Sequence, residues 1–118
     1  MAYLRHYLNG TTVVAYELEH TLTIGRQLDC TIVIDDPAVS GRHAQLCLDH
    51  GLYQLVDLES NNGVRIKWRL IEGARALSAG DIFAIGTHEF EYLTDLPTDL
   101  DKTLKIKKSW IPRVYFTV

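Results

Sequence analysis

The feature that most constrains this chain is how often it is interrupted. Runs rich in β-branched and aromatic residues are short, and each stops at a turn signal. Residues 3–8 stop at Asn9-Gly10, residues 21–24 at Gly25 and residues 31–34 at Asp35-Asp36-Pro37. Residues 44–48 stop at Asp49-His50-Gly51, and residues 52–58 run toward Asn61-Asn62-Gly63. Asn-Gly between two such runs is a hairpin signal, because both residues tolerate positive φ. Pro37 has no N–H for a sheet ladder and therefore belongs to a loop. Residues 12–18, 82–85 and 88–93 are further strand-like runs. No segment sustains a 3.6-residue apolar period. Short strands with regular turns predict an all-β sandwich or barrel.

One run is ambiguous. Arg65, Lys67 and Arg69 alternate with Val64, Ile66, Trp68 and Leu70. That period of two predicts an exposed-face strand or ribbon across residues 64–71. Trp68 and Trp110 are expected to be packing residues.

Bulk properties narrow the function classes. The 118 residues suit one domain, with 47% apolar and 23% charged residues as in ordinary globular chains. No apolar run reaches the roughly 18 residues of a membrane span. The first residues lack the apolar run and cleavage site of a signal peptide. A net charge of −3 argues against bulk nucleic-acid binding. It leaves room for a local pocket in which a few arginines take one anionic group. Cys30 and Cys47 lie in apolar strand-like contexts without zinc spacing. They are expected to be buried free thiols in a reducing, cytoplasmic setting. His6, His20, His50 and His88 show no metal-ligand spacing, so no metal or cofactor is expected.

Three turns carry polar residues beyond loop filler: Gly25-Arg26, Ser40-Gly41-Arg42-His43 and Asn61-Asn62-Gly63. Loops at one end of a sandwich cluster in space although distant in sequence. Such a cluster offers a planar cation from Arg26, a hydroxyl from Ser40 and a close backbone N–H at Gly41. The Asn62 amide can both donate to and accept from a peptide backbone. A phosphate next to a peptide main chain fits that list. Ser40 with His43 also raises the reading of a nucleophile and its base. No third residue orients His43 for Ser40, and the spacing lacks the strand–turn–helix setting of a nucleophile elbow. A buried, loop-bracing histidine is the better reading, and the chain is not expected to be an enzyme.

The stretch IGRQLDCTIVIDDPAVSGRHAQL, followed by DLESNNGV and GDIFAIGTHEFEYL, closely resembles the forkhead-associated (FHA) domain family. Its pattern is Gly-Arg, then Ser-x-x-His, then Asn-Gly, and all three occur here in order. The resemblance covers residues 22–93, with the first hairpin as opening strands. It implies an FHA-type, SMAD/FHA-like β-sandwich of about eleven strands whose apical loops bind phosphothreonine peptides. It implies a domain over residues 1–94 and a tail or linker over 95–118. Carried over by position, Arg26 and Ser40 contact phosphate and Asn62 holds the ligand main chain. Gly41 and Asn61 complete the phosphopeptide-binding set. Gly25 turns the chain to present Arg26, and His43 and Gly63 support the site. Arg42 is expected to pair with an acid and is a secondary candidate for ligand contact.

Departures from the pattern matter. Gly41 stands where Arg or Lys is common, Asn61 where Thr or Ser is usual, and Val64 where Thr is usual. The implied function is a phosphothreonine-peptide-binding adaptor in Ser/Thr-kinase signalling. The alternative is a phosphorylation-independent scaffold or oligomerisation module with the same fold. The tail offers Thr98 with an acid three residues on, a candidate ligand for the domain's own site if phosphorylated. Neither nucleic acid nor membrane is expected as a partner.

Overall fold

The computed structural model describes residues 2–94 together with the backbone of 105–108 and 115–117. It is all-β and forms two sheets. The first sheet begins with β1 (Ala2–Leu8) and β2 (Thr11–Leu18), joined through Asn9 and Gly10 at φ 53° and 79°. Those dihedrals are the mirror-image turn that Asn-Gly favours. β10 (Ile82–Ile85), β11 (His88–Leu93), β7 (Arg65–Ile66) and β8 (Arg69–Leu70) extend it in the order β2-β1-β11-β10-β7-β8. The second sheet runs β4 (Ile32–Val33), β3 (Leu22–Gly25), β5 (Ala44–Asp49), β6 (Leu52–Asp57), β9 (Ala74–Ala76).

Strict alternation along β11 sends His88, Phe90 and Tyr92 inward and Glu89 and Glu91 outward. Phe90 stacks on Phe83 with ring centroids 5.2 Å apart. Leu4, Leu22, Ile24, Leu46, Leu55 and Ile85 close the core between the sheets. Burial of each such side chain contributes about 1.5–3 kcal/mol. Because β3, β5 and β6 are held in register by this core, their loops emerge at defined positions.

The structure corrects three expectations and adds one strand. Residues 64–71 are not one strand: β7 and β8 form a tight hairpin, with Lys67 and Trp68 in its turn at φ 51° and 69°. Trp68 packs nothing, being 92% exposed. Cys30 is buried, but Cys47 is only half-buried; both are free. Strand β9 arises from Ala-Arg-Ala, a stretch without a strand signal, by pairing with β6. Thr98, Thr103 and Trp110 lie outside the described residues. Beyond residue 94, β12 (Lys105–Lys108) pairs parallel to β2, and β13 (Tyr115–Thr117) pairs with β12.

Candidate functional site

The site is built by lacing three loops together through their backbones. The β3–β4 loop meets the β4–β5 loop through Arg26 N–H to Ser40 O, 3.0 Å, and Gln27 N–H to Gly41 O, 3.0 Å. His43 N–H donates to Ile24 O at 2.9 Å, and Ile34 N–H to Gly25 O at 2.8 Å. The Cys30 thiol donates to Gly41 O at 3.2 Å, and burial raises its pKa. Gly25 is required here for a reason other than the turn expected from its place in the sequence. A Cβ at this position would lie 2.2 Å from Gly41 O and 2.9 Å from Arg42 Cα. Only glycine lets the two backbones approach this closely.

His43 is fully buried and locks the second loop to the third. Its Nδ1 accepts the Ser40 N–H at 3.0 Å, and its Nε2 faces Gly63 O at 2.8 Å. A peptide N–H can only donate and a carbonyl can only accept, so the ring carries its proton on Nε2. Both nitrogens are thereby occupied by backbone. Nδ1 takes the Ser40 amide rather than its hydroxyl, so no nucleophile–base pair exists between Ser40 and His43.

Ser40 presents its hydroxyl differently. Oγ accepts the Asn61 N–H at 3.0 Å, while its O–H has no acceptor among the described residues. The Gly41 N–H likewise has no partner among them. Arg26 leaves its guanidinium half-exposed, with Nε 4.0 Å from Asp35 Oδ1, a carboxylate that is 96% exposed. Such a screened pair holds the cation only weakly. The backbone bonds between the two loops thus set Arg26 beside Ser40 and Gly41 in the fold. Arg42 is engaged elsewhere, in an ion pair with Asp29 as expected.

Asn62 sends one amide hydrogen to Ala38 O at 2.7 Å. Its Oδ1 and second amide hydrogen have no partner among the described residues. Ala38 is itself pinned, its N–H donating to Asp36 Oδ1 at 2.9 Å. Asp36 Oδ2 meets His88 Nε2 at 3.1 Å, and His88 Nδ1 meets His6 Nε2 at 2.9 Å. The Ala38 N–H, then His88, hold the Asp36 carboxyl below the usual carboxylate range. Ser60 forms a second brace. Its Oγ donates to Asp57 Oδ1 at 2.7 Å and accepts the Gly63 N–H at 2.9 Å. Gly63 sits at φ 78°, and a Cβ there would lie 2.4 Å from Leu70 Cδ2. Sequence reasoning missed Asp36, Ala38, Asp57 and Ser60. Asp57-x-x-Ser60 and Asp36-x-Ala38 each carry a local signal, that of a side-chain-capped turn, but neither reports the long-range partner. Among the described residues, no group of His, Cys, Asp and Glu could hold a metal ion. Among the described residues, no helix is long and apolar enough to cross a membrane.

The family model of the FHA domain matches residues 22–86. The chain belongs to the FHA domain family. It is 37% identical over 79 residues to the glycogen accumulation regulator GarA of Mycolicibacterium smegmatis. That match covers 67% of this chain and 49% of GarA, so the chain spans about half of that relative's length. Among solved structures, it resembles Mycobacterium tuberculosis EmbR in complex with a low-affinity phosphopeptide, with TM-score 0.74 and 34% identity. The match covers 84% of this chain and 26% of the EmbR chain. A structure from work on phosphothreonine-dependent FHA domain interactions matches at TM-score 0.67 and 26% identity, covering 81% of this chain and 98% of the other. The β-sandwich and its loop-bearing end are therefore those of the FHA fold.

Proposed function

We propose that this FHA domain is a phosphothreonine-peptide-binding adaptor module in Ser/Thr-kinase signalling, and not an enzyme. The observation that carries the reading is the pooling of unspent donors at one loop end. Arg26 supplies a fixed cation, the Ser40 O–H and the Gly41 N–H supply two further donors, and the phosphate of a phosphothreonine takes all three. Asn62, already tied to Ala38, supplies the remaining amide groups to the ligand's main chain, with Asn61 beside it. Gly25, His43 and Gly63 act by holding the loops, and Arg42 stays with Asp29. EmbR, solved with a phosphopeptide, and the FHA structure from work on phosphothreonine-dependent interactions support the ligand class. The domain unit is residues 1–94, with residues 95–118 as a following segment. Free cysteines suit a reducing, cytoplasmic setting.

A charge-assisted hydrogen bond is worth about 1.5–3 kcal/mol net, so removing Arg26 weakens binding roughly ten- to a hundredfold. A few such contacts with a short main-chain clamp give about micromolar affinity. The test is fluorescence anisotropy with degenerate phosphothreonine, phosphoserine and unphosphorylated peptide pools, on the wild type and Arg26→Ala. Binding that survives Arg26→Ala and dephosphorylation would favour the assembly-module reading instead.

A further inference from the structure

The loop end does not finish at Asn62. A groove of about 660 Å³ opens beside Asn62 and Gly63 and runs onto the outer face of the first sheet. Its floor is made shallow by small residues, Ala84 with Gly80 and Gly86 at its ends. Arg65, Ala84 and Glu89 lie side by side on neighbouring strands β7, β10 and β11, so they form one row across the sheet. Trp68 stands over the groove from the tip of the β7–β8 hairpin, and Ile82 flanks it; both are exposed.

Trp68 is the feature that needs a cause. The residue is 92% exposed, so it adds nothing to the core. Its backbone sits at φ 69° and that of Lys67 at φ 51°, the left-handed region where a tight hairpin turn favours Asn or Gly. A large aromatic side chain held in an unfavourable conformation, in water, fits a binding role better than a folding one. The charges nearby are asymmetric. Arg65 and Lys67, toward Asn62, make no ion pair among the described residues. The acids stand elsewhere: Asp81 precedes β10, where one carboxylate oxygen also accepts the Ser78 N–H at 2.9 Å, and Glu89 lies on β11, two strands from Arg65.

We infer that this groove is a second recognition surface, taking the extended flank of the same phosphothreonine-bearing segment through one large apolar side chain on Trp68 and an acidic neighbour on Arg65 and Lys67. The occupant follows from continuity, because the groove shares Asn62 and Gly63 with the phosphopeptide site, and from the unpaired cations at that junction. A flank of seven residues reaches up to about 23 Å, enough to carry the chain from the loops onto the sheet face. This inference rests on the phosphothreonine reading. Its place in that reading is avidity and selectivity: the phosphate gives entry, and the flank gives preference among phosphorylated partners.

The test uses two labelled 15-residue pools with phosphothreonine at the centre. In one, the flanks are drawn from Leu, Ile, Phe, Asp and Glu; in the other, Gly and Ser replace the apolar residues while Asp and Glu stay. The wild type is expected to bind the apolar-flank pool at least about fivefold more tightly, a step of about 1 kcal/mol. Trp68→Ala is expected to erase that advantage and leave affinity for the Gly/Ser pool unchanged. Trp68→Gly, which suits the turn's backbone, should do the same with a melting temperature no lower than that of the wild type. Equal binding of the two pools by the wild type overturns the inference alone. So does an advantage that persists in both Trp68 variants. If the folded wild type binds neither pool, the phosphothreonine reading falls and takes the inference with it.

Discussion

Replacing His43 separates a brace from a base. The ring is fully buried, with Nδ1 on the Ser40 N–H and Nε2 on Gly63 O. His43→Ala leaves both backbone groups without partners in the interior, at about 1–3 kcal/mol each. The lost ring also leaves a void, which adds to the cost. Together these amount to about 3–6 kcal/mol, much of the stability of an ordinary domain. At about 4–8 °C per kcal/mol for a domain of this size, the melting temperature falls by at least about 12 °C. His43→Asn is the informative partner. Its Oδ1 can replace Nδ1 as acceptor for the Ser40 N–H, while Gly63 O stays unpaired. Asn should therefore recover about 1–2 kcal/mol relative to Ala. The assay is chemical denaturation followed by far-UV circular dichroism, with phosphopeptide binding measured on whatever fraction is folded. An Ala variant within about 1 kcal/mol of the wild type, or Ala and Asn equal, would refute the bracing argument.

Other outcomes follow from the same geometry. Gly25→Ala drives a Cβ into Gly41 O and Arg42 Cα, both backbone, so calorimetry should show a loss of about 3 kcal/mol and titration a damaged phosphate site. Gly41→Lys meets only the Gln27 side chain, at 3.1 Å, and adds a cation beside Ser40; anisotropy should show phosphopeptide binding tightened about three- to tenfold. The folded pKa of Asp36 is depressed, first by the Ala38 N–H and then by His88. Its contribution is thus present above the ordinary carboxylate value of 3.8 and lost as pH falls below it toward the folded value. Denaturation at pH 5, 4 and 3 should show a shallower acid-side loss in Asp36→Asn than in the wild type.

Much of the fold is legible in the sequence because hairpin chemistry is local. Asn9-Gly10 announces its turn, and β11 alternates without error. The β7–β8 hairpin hides because Lys67-Trp68 is a poor left-handed pair, while the flanking charges keep the rhythm of one strand. β9 hides because Ala-Arg-Ala is exposed and is a strand only through its partner. At the site, Arg26, Ser40 and Asn62 are visible as motif residues. The reason for Gly25 is not, since it depends on a backbone 16 positions away. The strut from His88 through Asp36 and Ala38 to Asn62 spans separations of 52 and 24 residues, and no local pattern can report it.

The central claim is that Arg26, Ser40 and Gly41 jointly hold a phosphate. The most direct measurement is the affinity of wild type and Arg26→Ala for a phosphothreonine pool, with phosphoserine and unphosphorylated pools alongside. The account predicts about micromolar binding to the phosphothreonine pool alone, weakened at least about tenfold in Arg26→Ala at an unchanged melting temperature. Phosphate-independent binding, or binding that Arg26→Ala leaves intact, would contradict it.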